Sequence, residues 1–598
     1  MASPPVKQEQ QQALQDALAL HRAGKRDLAM QRYVGILKDH PENIDALYYV
    51  AVIGIQEGQI AEGVKVLLRA LDIGPPQARL HNLLGQAYLR LNRDDDALAS
   101  FERAIECEPG FVDAYGNRAT LLSEMGRLDE ALASFDQALA LRSDNAEDWC
   151  NRATVLADLG RLPEAIESYD RAIVLAPQFA EALFNRADVQ RQLGRLTDAL
   201  ASYDRAIALA PKMAQAHCNR GVTLKLLGRL DEAGASFAQA LSLDPNFAEA
   251  LANRANLAFE RGRLEDAQTD YLRAIELWPD LAEAKFGRAL VCLAQGDWET
   301  GFRLYDERER VPAAPYKPLS YQRWDGEPLN GERLVLLTEQ GLGDTINFCR
   351  FGPLLAARGI DVTIQTSEAL RPLLSTLQGV TIATAADAPA PNGRALRWLP
   401  LMSVPGAFKL KPDRIPAKVP YLAAEPQRIE AWRQKIGNGG FKIGINWVSG
   451  ASGIWFAGRR DIPLAAFAPL AALSDVRLIS LQKGPAAGQT GVVPFGDQIE
   501  VLNADLDPTS NLFLDTAAVM MQLDLIVSCD TSVPHLAGAL ARPVFLALPR
   551  VADWRWMRDR DDCPWYPTMR LFRQSTDGQW DDVLARIAAA VAELIKRR

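Results

Sequence analysis

Glycine stands at positions 126, 160, 194, 228, 262 and 296, each 34 residues after the one before. Proline keeps the same step at 41, 75, 109, 177, 211, 245 and 279, with Ser143 in the one gap. A 34-residue period is that of a helix–turn–helix unit, and such units stack because none can bury its apolar face alone. Gly24 and Gly58 extend the glycine series backward, and Asn92, the next best residue for a left-handed turn, fills the slot between Gly58 and Gly126. The register predicts about eight or nine helix pairs before residue 310. Within one unit Tyr115, Leu122, Ala131, Phe135 and Ala138 lie at helical spacing and are expected in the core.

This is the register of tetratricopeptide repeats, whose superhelices bind other proteins along a concave face. Asn117, Asn151, Asn185, Asn219 and Asn253 recur at one place on the first helix of successive units, each followed by an arginine. An amide both donates and accepts, so a row of amides can hold an extended main chain whatever its side chains. The row resembles the asparagine ladder of the O-GlcNAc transferase superhelix, which implies acceptor binding. The same spacing also suits hydrogen bonds between neighbouring repeats, and both readings stand at this point. The arginines are expected to be solvated or paired between repeats.

The chain has 598 residues, so one core cannot hold it. With 48% hydrophobic and 24% charged residues it reads as an ordinary globular protein, and a net charge of −9 argues against a general nucleic-acid binder. Seven scattered cysteines without a Cys-x-x-Cys pair read as free buried thiols in a reducing compartment. The first residues carry no apolar signal-peptide core, and no uncharged apolar run reaches membrane-spanning length. A cytoplasmic location is expected.

Beyond residue 310 the beat stops, and prolines 312, 315, 318 and 328 mark a linker over 311–330. A strand over Arg333–Thr338 then runs into Glu339-Gln340-Gly341-Leu342-Gly343-Asp344, followed by an expected helix from about Thr345 to Arg358 and a strand over Asp361–Gln365. Strand, glycine turn and helix begin an α/β nucleotide-type fold. A second series opens with Phe441–Trp447 and a glycine-rich loop from Ser449 to Gly458. The expected order is a repeat superhelix over 1–310, the linker, a first lobe over 331–425 and a second lobe over 426–598 closed by a terminal amphipathic helix. Two α/β lobes joined by a hinge predict a cleft at the carboxyl ends of the strands.

Several spaced motifs occur in order. They are Gly296-Asp297-Trp298, Trp324-Asp325-Gly326-Glu327-Pro328, the Glu339–Thr345 segment, Ser480-Leu481-Gln482-Lys483-Gly484, Asp530–Leu540, Asp553-Trp554-Arg555-Trp556 and Pro564-Trp565-Tyr566-Pro567. Together they resemble the bacterial repeat-containing glycosyltransferases of GT-B fold whose catalytic half is similar to the heptosyltransferases, and most of all the flagellin glycosyltransferases. The resemblance implies a metal-independent enzyme without a cofactor. It would hold an acceptor protein, flagellin, through the repeats and transfer a nonulosonic acid such as pseudaminic acid from a CMP-activated donor to Ser or Thr. Pro534 and the Arg459–Pro463 stretch depart from the pattern of such relatives. An O-GlcNAc-type transferase using a UDP-sugar, a heptosyltransferase-like enzyme using an ADP-sugar, and a non-catalytic repeat adaptor remain as alternatives.

Donor phosphate prefers a helix N-terminus, and Leu523–Ser528 leads through Asp530, Thr531 and Ser532 into an apolar helix that carries His535. Arg459, Arg460 and Lys483 are expected to neutralise phosphate or a sugar carboxylate, while Asp530 and Thr531 also suit a helix cap. In the resembling heptosyltransferases the Asp of the Gly-x-Gly-Asp turn is the acceptor-side base, which implies that role for Asp344, with Glu339 in reserve. An N-cap is the alternative reading of Asp344. Trp554, Trp556, Trp565 and Tyr566, with Arg550, Arg555 and Arg558, either stack on a base or sugar or pack the lobe interface.

Overall fold

The computed structural model describes residues 4–311, 318–339, 341–387, 395–449, 460–502, 506–507 and 512–598. Eighteen α-helices run from Pro4 to Tyr305 and form nine antiparallel pairs, so the glycine register predicts their number. Each first helix ends in a left-handed residue, with φ between 71° and 87° at the glycines and 53° at Asn92. At Gly126 the wrap closes with Gly126 N–H to Ser123 O at 3.0 Å and Arg127 N–H to Leu122 O at 2.8 Å, a Schellman stop. A β-carbon is disfavoured in that backbone, which is why glycine keeps the beat.

Leu122, Ala131, Phe135 and Ala138 are buried as expected. Tyr115 differs: it is half-exposed, and the Arg118 guanidinium lies 5.4 Å above its ring. The arginines that follow the asparagines bridge repeats. Arg152 bonds Asp136 in the preceding pair at 2.7 Å and Ser168 in its own at 2.6 Å. Arg186 does the same with Asp170 and Ser202 at 2.5 and 2.9 Å, and Arg220 with Asp204 and Ser236 at 2.6 and 2.7 Å. At Arg254 the carboxylate moves to the other side, and both nitrogens bond Asp270 at 2.7 Å.

The chain divides into Met1–Pro245 and Asn246–Arg598. The last two helix pairs therefore pack with the α/β half, while the helix pairs themselves end at Tyr305, close to the expected limit at residue 310. The reason is aromatic. Trp298 stacks on Trp565 at 6.1 Å and meets Trp554 edge-on at 5.5 Å, and Phe302 also meets Trp554 at 5.5 Å. Arg308, just beyond, makes a buried ion pair with Glu339 of the first lobe. All seven cysteines are free; Cys107 is exposed rather than buried, the other six being interior.

Two parallel sheets follow the helices. The first contains β1 (Gln322–Arg323), β2 (Arg333–Leu337), β3 (Asp361–Gln365), β4 (Thr381–Ala383) and β5 (Leu396–Pro400), in the order β1-β5-β2-β3-β4. The second contains β6 (Phe441–Asn446), β7 (Val476–Ser480), β8 (Ile499–Val501), β9 (Leu525–Ser528), β10 (Val544–Leu548) and β11 (Met569–Arg573), in the order β11-β10-β9-β6-β7-β8. Strand order reverses at β2 in the first sheet and at β6 in the second. Loops at such reversals open a crevice at the carboxyl end of the sheet. The central strands β2, β6, β9 and β10 are buried almost throughout, as in sheets covered on both faces; Ile443, Ile445, Leu525, Val527 and Ala547 are fully buried in one core with the terminal helix Asp581–Arg597. The helix expected over 345–358 is two short ones, Leu342–Phe348 and Phe351–Ala356, with Pro353 in the second.

Candidate functional site

The loops after β2, β6, β9 and β10 border one cavity of about 350 Å³, together with Phe286, Leu290 and Tyr305 from the last helix pair. The first lobe supplies Gly341–Asp344, and the second supplies Ser449, Arg460, Asp530–Ser532, His535 and Asp553–Trp556. Gly343 permits the lobes to approach: a β-carbon there would lie 3.0 Å from His535 Cδ2 and 3.4 Å from Ser532 Cα.

Asp344 is not a helix cap. It is the third residue of the helix Leu342–Phe348, whose N-cap position is Gly341, and its side chain turns to the other lobe. Its Oδ1 accepts from Arg555 Nη2 at 2.7 Å. Burial raises the Asp344 pKa, and the Arg555 charge opposes that rise. Arg555 is held again by Asp553, Nη1 to Oδ1 at 2.8 Å, and its guanidinium carbon lies 4.7 Å from the Trp554 ring centroid and 5.1 Å from that of Phe348.

Glu339 sits elsewhere in chemical terms. It takes Arg308 Nε at 2.9 Å and Nη2 at 2.7 Å and the Met402 N–H at 3.2 Å, and its side chain is 3% exposed. A carboxylate so engaged ties the last helix pair to the first lobe and is not available as a reserve base. Lys483 does not line the cavity: its ammonium bonds Asp507 O at 2.8 Å. Arg460 lines it, and Arg459 lies outside the described residues.

The loop after β9 is fixed by amides and hydroxyls. Asn446 at the end of β6 donates to Gln482 Oε1 at 2.8 Å and accepts from Thr531 Oγ1 at 2.9 Å. Thr531 is the N-cap of the helix Ser532–Ala539 and takes the Val533 N–H at 3.3 Å. Pro534 has no N–H to offer. Asp530 is 5% exposed, and burial pushes its pKa up to about 6 against the pull of Arg460. His535 is 4% exposed, stacks on Trp556 at 5.0 Å, and pairs through Nδ1 with the Tyr566 hydroxyl at 3.0 Å. Burial, reinforced by Arg555, Arg350 and Arg460, drives its pKa well below the usual value and keeps the ring neutral. Tyr566 in turn donates to Asn347 Oδ1 at 3.0 Å. Its ring fills the space of a side chain at Gly538, where a β-carbon would lie 2.3 Å from Tyr566 Cδ1.

The cavity thus brings together Asp344, Asp530, Thr531, Ser532, His535 and Arg460. The sequence marks Arg555 only as part of the tryptophan cluster, and it does not single out Asp553, Tyr305, Phe286 or Leu290 for the cavity. In the Asp553–Trp556 segment Trp554 packs against Trp298, while Asp553, Trp554, Arg555 and Trp556 also line the cavity. Of the ladder asparagines, Asn117 donates to Asn82 of the preceding repeat at 2.9 Å, and Asn219 donates to Asp188 at 2.8 Å. Asn185 meets the Cys150 thiol. Asn151 is exposed, and Asn253 is half-buried.

The tetratricopeptide-repeat models match residues 20–87, 78–111, 100–133, 117–180, 150–214, 184–248 and 252–318. The helical half is built of tetratricopeptide repeats. Protein FlbA of Caulobacter vibrioides is 29% identical over 331 residues, which are 51% of this chain and 54% of that protein. The chain thus spans about half the length of the relative it matches. Among solved structures, YrrB, described as a repeat protein with an unusual peptide-binding site, is 29% identical and covers 31% of this chain and 95% of its own, with a TM-score of 0.28. A repeat protein from Parabacteroides merdae is 23% identical over 39% of this chain and 93% of its own, with a TM-score of 0.35. Among the described residues no helix is long and apolar enough to cross a membrane.

Proposed function

We propose that this protein is a cytoplasmic protein O-glycosyltransferase of GT-B type that modifies Ser or Thr of flagellin, recognised through the repeats, with a nonulosonic acid carried on CMP. The observation that carries the reading is the cavity itself. A carboxylate on one lobe, Asp344, faces a helix N-terminus and a neutral histidine on the other, at the strand-order reversals of two parallel sheets. The donor phosphate sits by Ser532 and His535, with Arg460 nearby. The acceptor hydroxyl enters on the Asp344 side. Its oxygen forms the bond to the anomeric carbon as the bond from that carbon to phosphate breaks, and the hydroxyl proton passes to Asp344. The Asn446–Thr531 hydrogen bond and the Trp556–His535 stack hold the phosphate side in one arrangement. The repeats support the acceptor half of the proposal, because such arrays bind other polypeptides.

Intact mass spectrometry of flagellin from cells with and without the gene tests the reading, since the mass lost gives the sugar. Asp344→Asn should not weaken donor or acceptor binding and should lower transfer by about two to four orders of magnitude. Transfer within a few-fold of wild type would remove Asp344 from the chemistry. Preference for UDP over CMP in calorimetry would move the donor to a UDP-sugar.

A further inference from the structure

Arg555 is the most constrained cation of the cavity, yet its hydrogen bonds are incomplete. It is 5% exposed, and its Nε has no hydrogen-bond partner. One of its two ion-pair partners is local: Asp553 accepts from both the backbone N–H and Nη1 of Arg555, at 2.9 and 2.8 Å. The other belongs to the opposite lobe, through Nη2 and Asp344 Oδ1. The guanidinium carbon lies over the Trp554 and Phe348 rings at 4.7 and 5.1 Å, and a guanidinium donates its hydrogen bonds in its own plane, where Nη2 and Nε lie. The helix Ser532–Ala539 offers an oxyanion less than a helix start usually does. Thr531 has taken the Val533 N–H and Pro534 has none, which leaves Ser532 N–H in the first three positions. A phosphate in this cavity needs a further donor, and guanidinium is the side chain best matched to it.

We propose that Arg555 is a positioning residue with two exclusive partners: it pairs either with Asp344 or with the phosphate of the donor, and capture of the phosphate releases the Asp344 carboxylate for the acceptor hydroxyl. The proposal rests on the donor-site reading above. A carboxylate held by a guanidinium is a weaker base than a free one, so the exchange switches the base on only when the leaving group is in place. The other charged and titratable groups facing Asp344 are Asp553, Glu339, Arg460 and the Tyr305 hydroxyl. Glu339 is committed to Arg308 and Asp553 to Arg555, so neither replaces the exchange.

Competition for one cation has a reciprocal signature. Removing the Asp344 charge must strengthen phosphate binding, and the gain must depend on Arg555. Calorimetry on the full chain with CMP, UDP, ADP and inorganic phosphate should show Asp344→Asn binding its preferred ligand at least about fivefold tighter than wild type. The gain should vanish when Asp344→Asn is made in Arg555→Gln, the double variant binding no tighter than Arg555→Gln alone, and should return in part when it is made in Arg555→Lys, which also guards against a variant that folds poorly. A nucleotide that binds wild type and Asp344→Asn equally, or the variant more weakly, overturns the exchange while leaving the donor reading intact. A gain seen with inorganic phosphate but no binding of any nucleotide supports the exchange and overturns the donor reading. Absence of binding by all four ligands in wild type and variant overturns both.

Discussion

Replacing Asp530 with Asn should stabilise the protein, and more so at high pH. Unfolded, this carboxyl releases its proton near pH 3.8; folded, burial raises that to about 6. Between those values the folded chain binds more protons than the unfolded one, so stability falls as pH rises through the window. Above it the ionised Asp530 costs about 3 kcal/mol, the free energy equivalent of moving a pKa from 3.8 to about 6. At pH 5 the cost is about half of that. Asn has the same shape and no charge to bury. Asp530→Asn should therefore gain about 3 kcal/mol over wild type at pH 8 and about 1.5 kcal/mol at pH 5. Urea titration followed by near-ultraviolet circular dichroism, which reports the surrounding tryptophans, measures both. An equal gain at the two pH values, or a loss at pH 8, would refute the assignment of the cost to a buried charge. A residue kept at such a cost inside a cavity belongs to function rather than to folding.

Glu339→Gln should lower stability by about 3–5 kcal/mol, because it takes the bidentate counter-charge from Arg308, whose side chain is 7% exposed; a normal denaturation midpoint with a large loss of transfer would restore Glu339 as a base. In the ladder, Asn219→Ala should cost about 1.5–3 kcal/mol by removing a hydrogen bond to a charged group, Asp188. Asn151→Ala should change stability by under about 0.5 kcal/mol and yet weaken acceptor capture in a pull-down. Equal melting losses for the two would assign both to stacking.

The repeats were legible because a 34-residue step repeats one backbone event, the left-handed stop seen from Gly126 to Gly296. The strands β2, β3 and β6 were legible to within a residue because a buried parallel strand is an apolar run with polar stops. Asp344, Asp530, Thr531, Ser532 and His535 stand beside glycine turns or strand ends, where the sequence itself marks a loop. Arg555 carries no such mark. It lies in a run of tryptophans that reads equally as core, and its partner Asp344 is 211 residues away in the chain, as 555 − 344 gives. The repeat array ends where the glycine beat ends, just past Gly296, but periodicity says nothing of which helices the later tryptophans bury, so the packing of the last two pairs with the α/β half was not legible. Glu339 read as a candidate because it shares a turn with Asp344, and only the position of Arg308 separates them.

The wedge of Trp298 between Trp554 and Trp565 decides where this chain can be cut and rejoined. A break at residue 310 carries the tryptophan away with the arm, leaving Trp554 and Trp565 facing water on one fragment and Trp298 and Phe302 on the other. A break between Pro245 and Asn246 keeps the pairs Ala248–Leu277 and Ala282–Tyr305, with Trp298 and Phe302, on the same fragment as the sheets. Hybrids that graft a foreign repeat array onto this chain should be joined there, with the last two pairs retained as an adaptor collar.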